Sequence, residues 1–248
     1  MTKETWYRRK TWRAALVLLA LALSEAGCSI ATLGSARTID PGTTQVWLAP
    51  QLLRVSRGSK PYVGPQFELG GRYGLAPNLD LGARLWLPLP GYALDARVGL
   101  RRARGAGLDV ALQPGGSYLY IPGGSGNDAP MHLATAHLPL LLGWHFASGH
   151  QAVLGIKLID LVAIDTSTYG QTAQLLTGAV TLGGVLQVTD NFAVAPEVGL
   201  GTLLLGSLSG FGADLGFGGA TLQASLGFMF GGRQLRQHCV DLPVPATE

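Results

Sequence analysis

The stretch GPQFELGGRYGLAPNLDLGARLWLPL, Gly64–Leu89, carries Glu68, Arg72, Asp80 and Arg84, each between apolar or small neighbours. Parity separates two faces. Before the turn signal at Gly74–Asn78, Glu68, Gly70 and Arg72 share one side, and Phe67, Leu69 and Tyr73 share the other. After it, Asp80, Gly82 and Arg84 oppose Leu79, Leu81, Ala83, Leu85 and Leu87. A period of two is the mark of a strand with one apolar face. A hairpin centred near residue 76 sets Glu68 across from Arg84 and Arg72 across from Asp80, two opposite-charge pairs of the kind that stabilise a sheet.

The same alternation runs on both sides of this hairpin. It predicts strands over Thr43–Val55, Gly64–Tyr73, Leu79–Leu87, Tyr92–Arg101, Leu108–Tyr120, Leu133–Phe146, Gln151–Ile164, Ala173–Val188, Phe192–Leu204 and Ala220–Phe230, ten in all. Asp95, Arg97 and Arg101 fall on the polar parity of their strand, as do Asp109, Gln113, Lys157, Glu197, Thr135, His137 and His145 on theirs. Short turns at Gly74–Asn78, Arg102–Gly107, Ala147–His150 and Thr189–Asn191 alternate with longer links at Ser56–Val63, Ile121–His132, Asp165–Thr172 and Gly206–Gly219. Pro88–Gly91 alone is short where a longer link is expected.

Each predicted strand thus has a large apolar face and a small, polar or ionic one. A soluble barrel turns the apolar face inward, and its polar face meets water. A membrane barrel turns it out to lipid, and the polar face lines the lumen. Charge decides for the membrane. Thr43–Gly232 holds ten basic and ten acidic residues, with Lys60 and Lys157 the only lysines. A soluble surface carries roughly 25–35% charged residues. Here that surface would be Gly, Ala, Thr and Gln, whereas a narrow lumen needs only a few mutually neutralising ions. Tyr73, Trp144, Phe146, Phe192 and Phe230 fall near the short turns or the last strand's end, and Tyr92, Tyr118, Tyr120 and Tyr169 near the longer links. Aromatic belts are expected at both membrane interfaces. The expected fold class is an all-β, antiparallel, up-and-down transmembrane barrel of about ten strands. A soluble, periplasmic lipid-binding barrel is the alternative.

The N-terminus reads as an export signal. Residues 1–27 contain five basic residues and the ten-residue apolar core AALVLLALAL, Ala14–Leu23, too short to cross a bilayer. Without this leader the chain holds thirteen basic and thirteen acidic residues, so its basic pI comes from the signal. No basic–aromatic patch points to nucleic acid. Residues 28–42 read as a polar tether, 43–232 as the barrel and 233–248 as a periplasmic tail. The only cysteines are Cys28 and Cys239. An exported chain permits a disulfide between them if Cys28 is not otherwise used.

Two resemblances follow from these residues. SEAGC, ending at Cys28, resembles the lipobox of bacterial lipoproteins, with Glu25 standing where an aliphatic residue is usual. It implies acylation of Cys28; the rival is ordinary cleavage after Ala26. YGLAPNLDLGARL, LQVTDNFAVAPEVGL and the final strand TLQASLGFMF resemble small bacterial outer-membrane β-barrel proteins of the OmpA-like and porin-like class. In that final strand Ser225 replaces the usual Gly. The resemblance implies outer-membrane lipid as surroundings and the barrel-assembly machinery as partner during biogenesis; short turns read as periplasmic, with an even strand count, put both termini in the periplasm. The resemblance implies no single activity.

Candidate chemistry is sparse. Glu68, Arg72, Asp80, Arg84, Asp95, Arg97, Arg101, Asp109, Lys157 and Glu197 form the expected lumen network, read as ion pairs that fill a narrow barrel, with a narrow pore or ligand-binding barrel as the alternative. His137 and His145 share a face about 26 Å apart, too far to share a metal. Ser125, Asp128 and His132 lie in or beside a Gly-rich loop without a held geometry, and GFGADLGFGG lacks the ending of a phosphate loop. No catalytic, metal or cofactor role is expected.

Overall fold

The computed structural model describes residues 34–57, 60–88, 90–103, 105–122, 130–165, 172–205 and 221–231, without the side chains of residues 52–65, 165, 221 and 222. Cys28, Cys239, Ser125, Asp128, Tyr169 and the Gly210–Gly219 loop lie outside this set. The strands are β1 (Thr44–Arg57), β2 (Lys60–Ala76), β3 (Leu79–Leu87), β4 (Gly91–Arg101), β5 (Gly107–Leu112), β6 (Gly115–Ile121), β7 (Met131–His145), β8 (Gln151–Asp165), β9 (Thr172–Thr189), β10 (Phe192–Leu205) and β11 (Thr221–Gly231). Strands adjacent in sequence pair antiparallel, except that β5 and β6 each pair with β4 and β7 instead of with each other, and β1 closes on β11 through Val46↔Phe230 and Leu48↔Phe228. Closure leaves no sheet edge.

The expected count of ten holds, because β5 and β6 are halves of one stave. Both lie between β4 and β7. The break falls at Gln113–Pro114, where proline has no N–H to offer the ladder. The neighbours bridge it: Gln113 N donates to the Pro139 carbonyl (2.9 Å), and the Pro114 carbonyl accepts from Ala96 N (2.9 Å). At the far end of β1 the ladder runs on to Arg57↔Lys60, so the longer link expected at Ser56–Val63 is largely strand.

The faces point as the composition argument requires. Leu81 and Val198 are 47% and 51% exposed, while Glu68, Arg72, Asp80 and Arg84 on the opposite parity are buried. Outward Tyr73, Trp144, Phe146 and Phe230 ring the short-turn end, and outward Phe67 and Tyr92 stand toward the other. Phe192 packs on Phe230 with ring centres 5.2 Å apart. A closed wall of leucine and valine facing outward needs lipid as its solvent, so the soluble alternative with its apolar face inward is excluded.

The hairpin register differs from the sequence expectation by two residues. The observed pairs are Glu68↔Trp86, Gly70↔Arg84, Arg72↔Gly82 and Gly74↔Asp80, with a bulge before Ala76↔Leu79. The turn therefore centres on Pro77–Asn78, and parity survives because the slip is an even number.

Candidate functional site: the barrel lumen

Nine of the ten expected network residues are buried in the lumen: Glu68, Arg72, Asp80, Arg84, Asp95, Arg97, Asp109, Lys157 and Glu197. Arg101 is not among them. It is exposed, beyond an irregularity in the β4–β5 ladder between Gly99 and Arg101 that ends the parity. Arg72 binds both Asp80 and Asp95, and Arg84 Nη2 reaches the other oxygen of Asp95 at 3.1 Å. Gly82 makes room for this: a Cβ there would stand 2.6 Å from the Arg72 guanidinium.

Glu68 is not the direct partner of Arg84 that the sequence implied. Its carboxylate accepts from Trp47 Nε1 (2.9 Å), Trp86 Nε1 (3.0 Å) and Gln51 Nε2 (3.1 Å). The two indoles and the amide satisfy a buried charge through charge-assisted hydrogen bonds. Parity does mark Trp47, Gln51 and Trp86 as inward, but a tryptophan on a polar face gives no sequence sign of being a carboxylate's donor.

The sequence also missed the stretch before β1. Ser35–Ile39, expected to be part of a free polar tether, is buried inside the short-turn end of the barrel. Ile39 N donates to Asp80 Oδ2 (2.9 Å) and Ala36 N to Gln151 Oε1 (3.1 Å). Arg37 Nε donates to Asp109 Oδ2 (3.0 Å), and Arg97 Nη1 donates back to the Arg37 carbonyl (3.1 Å). Asp109 also meets His145 Nε2 at 2.6 Å and accepts from Ala103 N at 2.7 Å. The wall is trimmed to admit this segment: a Cβ at Gly143 would stand 2.7 Å from Ala36, and one at Gly74 would run into the Ile39 and Asp40 carbonyls.

Toward the longer links the inward face becomes apolar. Leu119, Ile121, Met131, Leu133, Leu161, Ala163 and Leu175 form one buried cluster. Between that cluster and the ionic network lies a small cavity. Arg84, Trp86, Ser117, Thr135, His137 and Lys157 line it, along with Leu119, Leu133 and Ile159. His137 and His145, on one face of β7, have different neighbours. His145 is bound to Asp109, whereas His137 Nε2 is buried with no hydrogen-bond partner among the described residues.

No family model and no curated protein matches the sequence. Among solved structures, Neisserial surface protein A is similar at 10% identity over 75% of this chain and 96% of its own, with a TM-score of 0.42. The outer membrane protease OmpT from Escherichia coli is similar at 11% identity over 77% and 92%, with a TM-score of 0.42. The translocator domain of the autotransporter NalP from Neisseria meningitidis is similar at 14% identity over 92% and 97%, with a TM-score of 0.39. The closed ten-stave wall with its apolar exterior and ionic interior decides the assignment. The chain is a ten-stave transmembrane β-barrel.

The expectation that the barrel is no enzyme is corrected: the similar structures include an outer membrane protease. His132, the described member of the serine–histidine–aspartate set considered from the sequence, has another setting. Its Nδ1 is 2.5 Å from the Tyr118 hydroxyl, and its ring stands 5.2 Å from that of Tyr120. It lies between inward Met131 and Leu133, so it points outward with the aromatic residues. No group of metal-ligating side chains occurs among the described residues.

Proposed function

We propose that the protein is a closed outer-membrane barrel with a structural or small-solute role, its lumen blocked at the short-turn end. The observation that carries this reading is the burial of Ser35–Ile39 across the mouth, bonded to β3, β4, β5 and β8. The Arg72–Asp80–Asp95–Arg84 group stands behind it. Buried ions in such a group resist removal, since separating one from its partner costs about 3–5 kcal/mol. In this reading the short turns and both chain ends face the periplasm. Cys28 is acylated in the adjacent leaflet, outer-membrane lipid surrounds the wall, and the barrel-assembly machinery inserts it.

Planar-bilayer recording tests the closed state. The intact chain is expected to insert without conductance steps, and a variant lacking residues 34–40 is expected to show them. Stable, long-lived openings from the intact chain would replace the closed reading with that of a narrow pore. Mass spectrometry of the mature chain, with and without Cys28→Ser, tests the anchor: acylation adds fatty-acyl mass that the variant lacks, whereas a Cys28–Cys239 disulfide adds none.

A further inference from the structure

Ser35–Ile39 crosses the short-turn mouth as a seated peptide rather than as part of the wall. The segment belongs to no strand, and the barrel closes through β1 and β11 without it. Its bonds end on inward side chains, or on the carbonyls of Pro77 and Ala103, which lie between strands. It can therefore leave without breaking a ladder hydrogen bond.

The seat reads its occupant in two ways. Three contacts go to main-chain groups that most residues offer: the N–H groups of Ala36 and Ile39 donate to Gln151 and Asp80, and the Arg37 carbonyl accepts from Arg97. Two positions are read closely by their side chains. The Arg37 guanidinium donates through Nε to Asp109 (3.0 Å) and through Nη2 to the Ala103 carbonyl (2.8 Å). A planar fork held by a carboxylate and a carbonyl selects arginine over lysine. Residue 36 must be small, since Ala36 is buried with Ala111 and Leu141, and a Cβ at Gly143 would stand 2.7 Å from it. Thr38 Oγ1 donates to the Pro77 carbonyl (3.0 Å), and Ile39 is buried. Charge points the same way. Among the described residues the strands bury five carboxylates and four arginine or lysine side chains, so the wall leaves one acid for an occupant to neutralise. His145, which also meets Asp109, carries charge only when protonated.

We propose that the short-turn mouth is a binding site for an extended peptide of the pattern small–arginine–polar–apolar. Ser35–Ile39 is its resident occupant, and a peptide of that chemistry arriving from the short-turn side exchanges with it. A segment tied to β1 competes at an effective concentration on the order of millimolar, so a free peptide takes the seat when it is concentrated at the mouth or when the resident's hold is weakened. The proposal takes from the closed-lumen reading only the position of the segment; conductance tests that reading and peptide binding tests this one.

Fluorescence anisotropy of the full chain in lipid nanodiscs uses two probes. One is a fluorescein-labelled, amidated peptide of residues 34–42, GSARTIDPG, and the other carries citrulline in place of the arginine, which keeps the shape and loses the charge. Arg37→Ala weakens the resident segment and leaves the wall intact. That variant is expected to bind the arginine peptide saturably, about ten-fold more tightly than the citrulline peptide and about ten-fold more tightly than the unaltered chain does. Adding Asp109→Asn is expected to abolish the preference for arginine. No saturable binding to Arg37→Ala, equal binding of the two peptides, equal binding by Arg37→Ala and the unaltered chain, or a preference that survives Asp109→Asn would overturn the proposal. Hydrogen exchange on the unaltered chain decides even if the variants fail to fold. Unlabelled arginine peptide at millimolar concentration is expected to speed exchange of the Ala36 and Ile39 amides by about ten-fold, and unchanged exchange would overturn the proposal.

Discussion

Arg72 shows how much of the interior rests on single side chains. Its fork neutralises Asp80 and Asp95 together, and both carboxylates are buried. Arg72→Met leaves both without their shared cation and is expected to destabilise the barrel by about 3–5 kcal/mol, read from urea unfolding midpoints in lipid vesicles. Arg72→Lys is expected to recover only part of this, because an ammonium cannot reproduce a planar fork aimed at two acceptors. Trp86→Phe keeps a ring but removes the 3.0 Å donor to Glu68, and is expected to cost about 1–3 kcal/mol in the same assay. Parity made the inward position of these residues legible, but their partners were not. Position depends only on the two-residue period, whereas partners depend on register, and a turn centred on Pro77–Asn78 instead of residue 76, with a one-residue bulge after Gly74, moved the register by two. Arg101 failed for a related reason: alternation carries no sign of where a ladder becomes irregular, and the ladder does so just before it.

At the scale of elements, Ser35–Ile39 carries no period and so could not be read as part of the fold. Charge balance gave no hint, because the ten expected network residues already include five acidic and five basic side chains. Without Arg101 the described lumen has five acidic side chains and four basic ones from the strands, and Arg37 supplies the fifth base beside Asp109. The strands themselves were legible because lipid on one side and ions on the other enforce strict alternation along each stave. The break into β5 and β6 was less so, since the neighbouring staves carry the hydrogen bonds across Pro114 and alternation persists through it. A steric variant tests the inward segment without touching its charges. Gly74 packs against the Ile39 and Asp40 carbonyls, so Gly74→Val is expected to displace the segment while β2 still pairs with β1 and β3. Limited proteolysis of the folded variant should then cleave within residues 34–43, where the unaltered chain is protected. Protection unchanged in the variant would mean that the segment is held by its ion pair and hydrogen bonds alone.

The whole molecule is a sheath inverted relative to a soluble domain, with ions inside and hydrocarbon outside, and this inversion makes a depth-dependent prediction. Val198 and Thr202 both point outward on β10, Val198 between Leu182 and Ala224 in the apolar wall and Thr202 four residues nearer the outer end. In a bilayer, a lysine near the midplane costs about 2–4 kcal/mol and one near an interface about 0–1 kcal/mol. Val198→Lys is therefore expected to lower folding stability in vesicles by the larger amount and Thr202→Lys by the smaller. A surface facing water would tolerate both substitutions within about 0.5 kcal/mol. Equal and small effects at the two positions would remove lipid from the account of the wall. The balanced interior explains why the cost is so uneven between faces: every charge the strands bury inward meets a lumen built to hold it, and a charge turned outward at Val198 meets none.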